Sequence, residues 1–323
     1  MRKTVLIIKL GYCETLVHEE GFVPSLGDVF RHTVLLHHYA DYRVTWLTSR
    51  SSVPLLTGNP YIQELLVYDD MDRNALAKRQ FDEVLCLEKA PTLCSLAQSV
   101  CAAKHLGFGR TSTGTHAFPG AESALDVANG RDQFLPIQAL LFQIVGSYWR
   151  GQDYVLGYEP RERAPFDVGI NFRVGSKWPT KNWPVTSWET LATLCENHGL
   201  VVSWQEGATD LYQYMDWINA ARLVVTCDSL GMHLGLAMRK KVVALFGPTP
   251  SEQIYMYGRG VILTADWACP EAPCMQAECA KGVVCMSQIR PRTVARTIGN
   301  LLNGKEKERD AITPRKRQMR LAS

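Results

Sequence analysis

Short apolar, β-branched runs recur along the chain, each cut by a polar or glycine-bearing turn and followed by apolar positions at helical spacing. Residues 4–10 (TVLIIKL), 43–48 (RVTWLT), 65–68 (LLVY) and 82–87 (DEVLCL) are such runs in the first half. Residues 167–172 (DVGINF), 200–204 (LVVSW), 223–227 (LVVTC) and 242–246 (VVALF) repeat the pattern in the second. Continuous apolar runs of this length suit strands covered on both faces of a parallel sheet, with crossover helices between them. The spacing predicts helices over 29–38, 187–197, 210–220 and 232–238. The alternation restarts after the charged, proline-bearing link 159–165 (EPRERAP). It therefore predicts an α/β protein of two Rossmann-like, doubly wound halves facing a central cleft, over 1–158 and 166–302, with a basic tail over 303–323.

The densest stretch is 222–252, RLVVTCDSLGMHLGLAMRKKVVALFGPTPSE. Asp228-Ser229-Leu230-Gly231 breaks one strand, and Thr249-Pro250-Ser251-Glu252 follows the next with a capping hydroxyl, a proline and a carboxylate at the spacing of a helix start. Two helix N-termini at the carboxyl ends of neighbouring strands would present free N–H groups to a phosphate. A plain βαβ unit without a ligand is the alternative. The turn after the first strand holds only Gly11, and Gly107, Gly109 and Gly114 have the wrong spacing for G-x-G-x-x-G, so a dinucleotide cofactor is not expected. Asp28 stands at the start of the first predicted helix, where it is either an N-cap or a functional carboxylate. Before it lies a polar insert, 12–24.

With 46% hydrophobic and 21% charged residues in 323, the composition is that of a globular protein. No run of 18 apolar residues and no signal peptide is seen, which predicts a cytoplasmic location. Seven Lys or Arg against three acids between 304 and 323 make the tail basic and leave the body near neutral. The tail is either a solvated end or a contact for an anionic membrane surface, giving peripheral attachment; no nucleic-acid partner is expected. Of ten cysteines, four cluster as Cys269-x4-Cys274-x4-Cys279-x5-Cys285. They are either reduced thiols or ligands of a structural zinc or iron, and four sulfurs would leave no open position for catalysis. Trp178 and Trp183 either stack on a ligand or pack their loop, His233 either packs or moves a proton, and His18 with Glu14, Glu19 and Glu20 could be read as metal ligands but reads better as a solvated polar loop.

The segments VLIIKL, SLGDVFRHT, RVTWLT and LLTGNPYIQELLVYD, then KNWP at 181–184, ARLVVTCDSLGMHLGLAM, VVALFGPTP and CPEAPCMQAECAKGVVCMSQI, resemble glycosyltransferase family 9, the ADP-heptose lipopolysaccharide heptosyltransferases. The resemblance runs in order from the first strand to about residue 302. It implies a GT-B fold with an acceptor-binding first half and a donor-binding second half. It further implies Asp28 as general base and Lys181 as a phosphate-contacting lysine. Asp228, Ser229, Gly231, Met232, His233 and Thr249 would then line the donor side. Two departures stand out: the turn reads D-S-L-G-M-H, with its glycine displaced, and the insert 12–24 has no counterpart in the family's short first turn.

Physical chemistry asks for the same groups. Sugar transfer from a nucleotide diphosphate needs a base for the acceptor hydroxyl and cations or dipoles for the leaving diphosphate. One carboxylate without a second beside it implies displacement with inversion, and without a D-x-D pair no catalytic metal or other cofactor is expected. The resulting expectation is an inverting heptosyltransferase using ADP-heptose and a lipopolysaccharide-type acceptor. The alternatives are a transferase with another nucleotide sugar or a protein or small-molecule acceptor, and a non-catalytic scaffold of the same fold.

Overall fold

The computed structural model describes residues 2–12, 23–128, 135–175, 178–205, 210–265, 269, 271–279 and 285–304. Most of the insert 12–24 (residues 13–22, with Glu14, His18, Glu19 and Glu20) and the tail from 305 onward lie outside them.

The first half contains β1 (Thr4–Ile8), α1 (Leu26–Arg31), β2 (Arg43–Thr48), α2 (Val53–Leu56), β3 (Ile62–Val67), α3 (Arg73–Ala77), β4 (Gln80–Cys86), α4 (Pro91–Ser99), β5 (Cys101–Thr111), β6 (Gly114–Ala117), α5 (Glu122–Ala128) and α6 (Ile137–Ile144). The second contains β7 (Phe166–Asn171), α7 (Val185–Glu196), β8 (Val202–Trp204), α8 (Leu211–Ala220), β9 (Ala221–Cys227), α9 (Leu230–Ala237), β10 (Lys241–Phe246), β11 (Gly260–Thr264) and α10 (Pro291–Leu302). Each half builds one sheet, in the orders β3-β2-β1-β4-β5-β6 and β11-β10-β9-β7-β8. All pairings are parallel except β5 with β6. Val5, Leu6, Ile7 and Ile8 of β1 are fully buried between its two neighbours, as their unalternating pattern requires. Each such side chain contributes about 1.5–3 kcal/mol on burial.

This topology places the chemistry. Strand order reverses between β1 and β4 in the first sheet and between β7 and β9 in the second. Ligands of open α/β sheets sit outside the carboxyl ends of strands at such reversals. The residues leaving those four strands are Lys9, Glu88 with Lys89, Asn171 and Asp228.

The halves meet where α1 packs on α9. Gly27 permits the approach, since a Cβ there would lie 3.3 Å from the backbone nitrogen of Leu230 and 3.4 Å from the His233 ring. The connecting segment is tied to the second half as well: Arg259 donates twice to Asp153, at 2.9 and 2.7 Å, and the Tyr158 hydroxyl and Arg161 N–H each donate to Asp216 at 2.8 Å.

Three local expectations are corrected. The helix expected over 29–38 starts at Leu26 and turns into 3-10 geometry over His32–His37. The His32 ring donates to the Asp28 carbonyl at 2.5 Å, taking the acceptor that a continuing α-helix would use. The strand expected over 200–204 is only Val202–Trp204. The helix expected after Thr249 is a single 3-10 turn, Ser251–Gln253, which gives way to extended backbone at Ile254, and the Thr249 hydroxyl donates to Asp228 at 2.9 Å.

Candidate active-site cleft

A cleft of about 520 Å³ opens between the halves and is lined from both. On the first wall, Asp28 lies in the first turn of α1, with Ser25 at the cap position, so it is no N-cap. Its carboxylate is 2.5 Å from Lys9 Nζ and 2.5 Å from Arg31. Lys9 also lies 3.1 Å from Glu88, whose Oε1 accepts the backbone N–H groups of Leu10 at 2.8 Å and Gly11 at 2.6 Å. Burial alone would push Asp28 towards protonation, but the Lys9 and Arg31 cations hold its carboxyl well below the usual range. Burial likewise opposes the Lys9 ammonium, and the two carboxylates outweigh it and raise its pKa. Burial and the neighbouring Lys9 charge keep His32 neutral, well below the ordinary histidine value. Lys89, also facing the cleft, is brought down to about 8 by burial and by Lys9.

On the opposite wall, Lys181 is 2.8 Å from Asp228 and 5.1 Å from the centre of the Trp178 ring. Burial works against the Asp228 charge, and Lys181 more than compensates, so its pKa is lowered. Asn171 donates to Thr226 Oγ1 at 2.8 Å and to Ser229 Oγ at 3.1 Å, fixing the turn that opens α9. Gly231 is required there: a Cβ would collide with the Asn171 amide and the Tyr214 hydroxyl. Gly231 itself is buried against these two side chains and does not line the cleft, whereas Ser229 and Leu230 line it at the positive end of α9.

Of the expected donor-side residues, Lys181, Asp228, Ser229, His233 and Thr249 face this cleft together with Asp28. Met232 does not, because its side chain is fully buried in the core. His233 is buried and hydrogen-bonded to Tyr154 at 3.3 Å, and burial together with Arg31 pushes its pKa down to about 4. Trp178 lines the cleft, whereas Trp183 packs edge-on against Trp188 and donates to the Ile289 carbonyl at 3.0 Å.

The cysteine loop leans on the donor side. Met275 N donates to the Pro248 carbonyl at 3.0 Å, Thr180 donates to the Gln276 carbonyl at 2.6 Å, and Cys285 lies against Gly247. Burial raises the Cys285 thiol, and Cys274, Cys269 and Cys279 add to the shift. Among the described residues, however, no three His, Cys, Asp or Glu side chains converge closely enough to hold a metal ion. Binding one would require the four thiols to draw closer together.

Sequence reasoning passed over Lys9, Glu88, Asn171 and Tyr214. A lone charge ending an apolar run (VLIIKL, EVLCLE) was the available signal for the first two.

Two α/β sheets with facing carboxyl ends and a shared cleft are the GT-B architecture of glycosyltransferases. The E. coli heptosyltransferase WaaC with ADP superposes with a TM-score of 0.64 over 92% of this chain and 99% of its own, at 15% identity. Residues 206–284 match the profile of glycosyltransferase family 9 (heptosyltransferase), so the resemblance read from the motifs holds. Lipopolysaccharide heptosyltransferase 1 of Pseudomonas aeruginosa is 28% identical over 189 residues, 50% of this chain and 51% of that protein. The chain thus spans about half the length of this curated relative. An iron-containing dodecameric glycosyltransferase, TibC, of enterotoxigenic E. coli has the same fold, with a TM-score of 0.59 at 15% identity over 94% of this chain and 77% of its own. Among the described residues, no helix is long and apolar enough to cross a membrane.

Proposed function

We propose that the chain is an inverting glycosyltransferase that moves heptose from ADP-heptose to a lipopolysaccharide-type acceptor. One observation carries this reading: a carboxylate, Asp28, and a cation at a helix start, Lys181 beside α9, stand on opposite walls of one cleft. The diphosphate would lie on the Ser229–Gly231 turn with Lys181, which exchanges Asp228 for phosphate oxygens. As the sugar–phosphate bond breaks, negative charge grows on that diphosphate, and the lysine and the helix end oppose it. The acceptor hydroxyl approaches the opposite face of the sugar and passes its proton to Asp28.

The low basicity of Asp28 sets the timing. A carboxylate clamped by Lys9 and Arg31 takes a proton only once the hydroxyl has become acidic through bond formation to an oxocarbenium-like carbon. His233, neutral and turned toward Tyr154, then acts in packing. Work at the cytoplasmic membrane face is part of this reading, with the tail as the anionic-surface contact.

The first test is calorimetry against ADP-, UDP-, GDP- and CMP-sugars. Selective ADP-heptose binding that weakens in Lys181→Ala is expected, and an absence of binding to all four classes refutes the reading. Asp28→Ala should retain donor binding and lose transfer. A structural zinc or iron on the cysteine loop belongs to the same reading: metal analysis of the purified chain should find it in stoichiometric amount, and metal-free folded protein would dismiss it.

A further inference from the structure

His233 packs through one of its two ring nitrogens. Nδ1 lies 3.3 Å from the Tyr154 hydroxyl, and burial with Arg31 keeps the ring neutral, so one nitrogen carries a proton and the other accepts. Which is which is decided outside the cleft.

The decision starts at Tyr257, between β10 and β11. Its hydroxyl oxygen lies 3.1 Å from the Gln152 carbonyl, and two oxygens that close need a proton between them. A carbonyl has none to give, so Tyr257 donates there and accepts from its other neighbour, Gln138 Nε2, at 2.9 Å. That fixes the amide of Gln138, a fully buried residue of α6. Turned this way, the amide also donates to Tyr154 at 3.0 Å, and its Oε1 is left with no partner among the described residues. The Tyr154 hydroxyl, kept protonated by burial, has its own proton free for His233 Nδ1. An Nδ1 that accepts leaves the imidazole proton on Nε2.

On the ring, Nε2 is bonded to Cδ2, the atom that a Cβ on Gly27 would meet at 3.4 Å, and Gly27 and His233 both line the cleft. Nε2 is therefore on the edge turned from Tyr154 toward the cleft. Arg31 and Asp28 act on the ring from one wall, Asp228 and Lys181 from the other. Ser229 and Leu230, where the diphosphate is proposed to lie, open the same helix as His233.

We infer that Gln138 and Tyr154 are positioning residues: they hold His233 as its Nε2–H tautomer, with that N–H presented to a phosphate oxygen of the nucleotide. The tautomer follows from the contacts alone, and only the identity of the acceptor rests on the proposed transfer reaction. His233 moves no proton in this role. The donor side of the second half is thus completed from the first, through Gln138, which does not itself line the cleft.

The test is nitrogen NMR of the full chain labelled at histidine, assigned with His233→Leu and recorded with and without ADP. The free protein should show His233 as a single Nε2–H tautomer. Tyr257→Phe, three hydrogen bonds from the ring along this chain, should bring in the Nδ1–H form, because the Gln138 amide is then free to turn and accept from Tyr154. Gln138→Met should do the same by removing the donor to Tyr154. A ring that only packs would keep its tautomer in both variants. ADP should shift the Nε2 proton downfield, and His233→Leu should bind ADP about tenfold more weakly, as for one hydrogen bond to a charged oxygen. An Nδ1–H tautomer in the wild-type chain, or a tautomer unmoved in both variants, overturns the inference. An Nε2 proton that stays put while ADP binds also overturns it, and leaves the transferase reading standing. Absence of binding by ADP and by every nucleotide sugar fells the transferase reading and the phosphate contact together.

Discussion

Lys9→Met tests the electrostatic design of the first wall. The ammonium lies 2.5 Å from Asp28 and 3.1 Å from Glu88, and all three side chains are almost fully buried. Removing one partner of a buried ion pair costs about 3–5 kcal/mol, because the other partner stays charged and dry. Here the survivors keep some support: Asp28 retains Arg31 at 2.5 Å, and Glu88 retains two backbone N–H donors. The loss should therefore fall at the lower end, about 3 kcal/mol at pH 7.

The sign of the pH dependence follows from the two shifts. Lys9 is raised in the fold, so its contribution is complete below the unfolded value of 10.5 and fades only as pH rises through the folded one. Asp28 is lowered, so its contribution is present above its unfolded value of 3.8 and fades as pH falls through the folded one. Neutral pH lies inside both windows. Without Lys9 the Asp28 carboxylate protonates more readily, so the deficit of the variant should narrow on acidification to about pH 5. Urea unfolding at the two pH values measures this. The triple variant Lys9→Met, Asp28→Asn, Glu88→Gln should be more stable than Lys9→Met alone, since it leaves no buried charge uncompensated in the pair. A loss under about 1 kcal/mol at pH 7, or a triple variant no better than the single one, refutes the account.

Three further outcomes are expected. Gly231→Ala should lose about 1–3 kcal/mol by forcing Asn171 and Tyr214 aside, and should weaken nucleotide binding with it; an unchanged melting temperature would contradict the close approach. The His233 ring should stay neutral down to about pH 4, read from its ring nitrogen shifts in NMR, so a midpoint near 6.5 would remove the burial argument. Arg259→Met should cost about 1.5–3 kcal/mol in thermal unfolding through loss of its two bonds to Asp153, and Arg259→Lys should recover only part of that.

The strands around β1 and β9 were legible because both their faces are covered, which writes an unbroken apolar run into the sequence. β5 and β6 lie at one edge, with exposed positions such as Cys101, Lys104 and Arg110, and left no such run to read. Thr249 illustrates a different limit. Its residue type and spacing mark a helix cap, but Asp228, 21 residues earlier, claims the hydroxyl in space. Asp28 and Lys181 could be singled out from motif and position. Glu88 could not be paired with Lys9, since nothing local links the ends of β1 and β4.

That pairing bears on how the chain is made. Lys9 precedes Glu88 by about 80 residues, so at roughly 5–20 residues per second β1 waits some 4–16 s for the strand that completes its neighbourhood. A lysine at the end of an unbroken apolar strand is the kind of charge that discourages premature pairing with another nascent chain before its carboxylate partner is made.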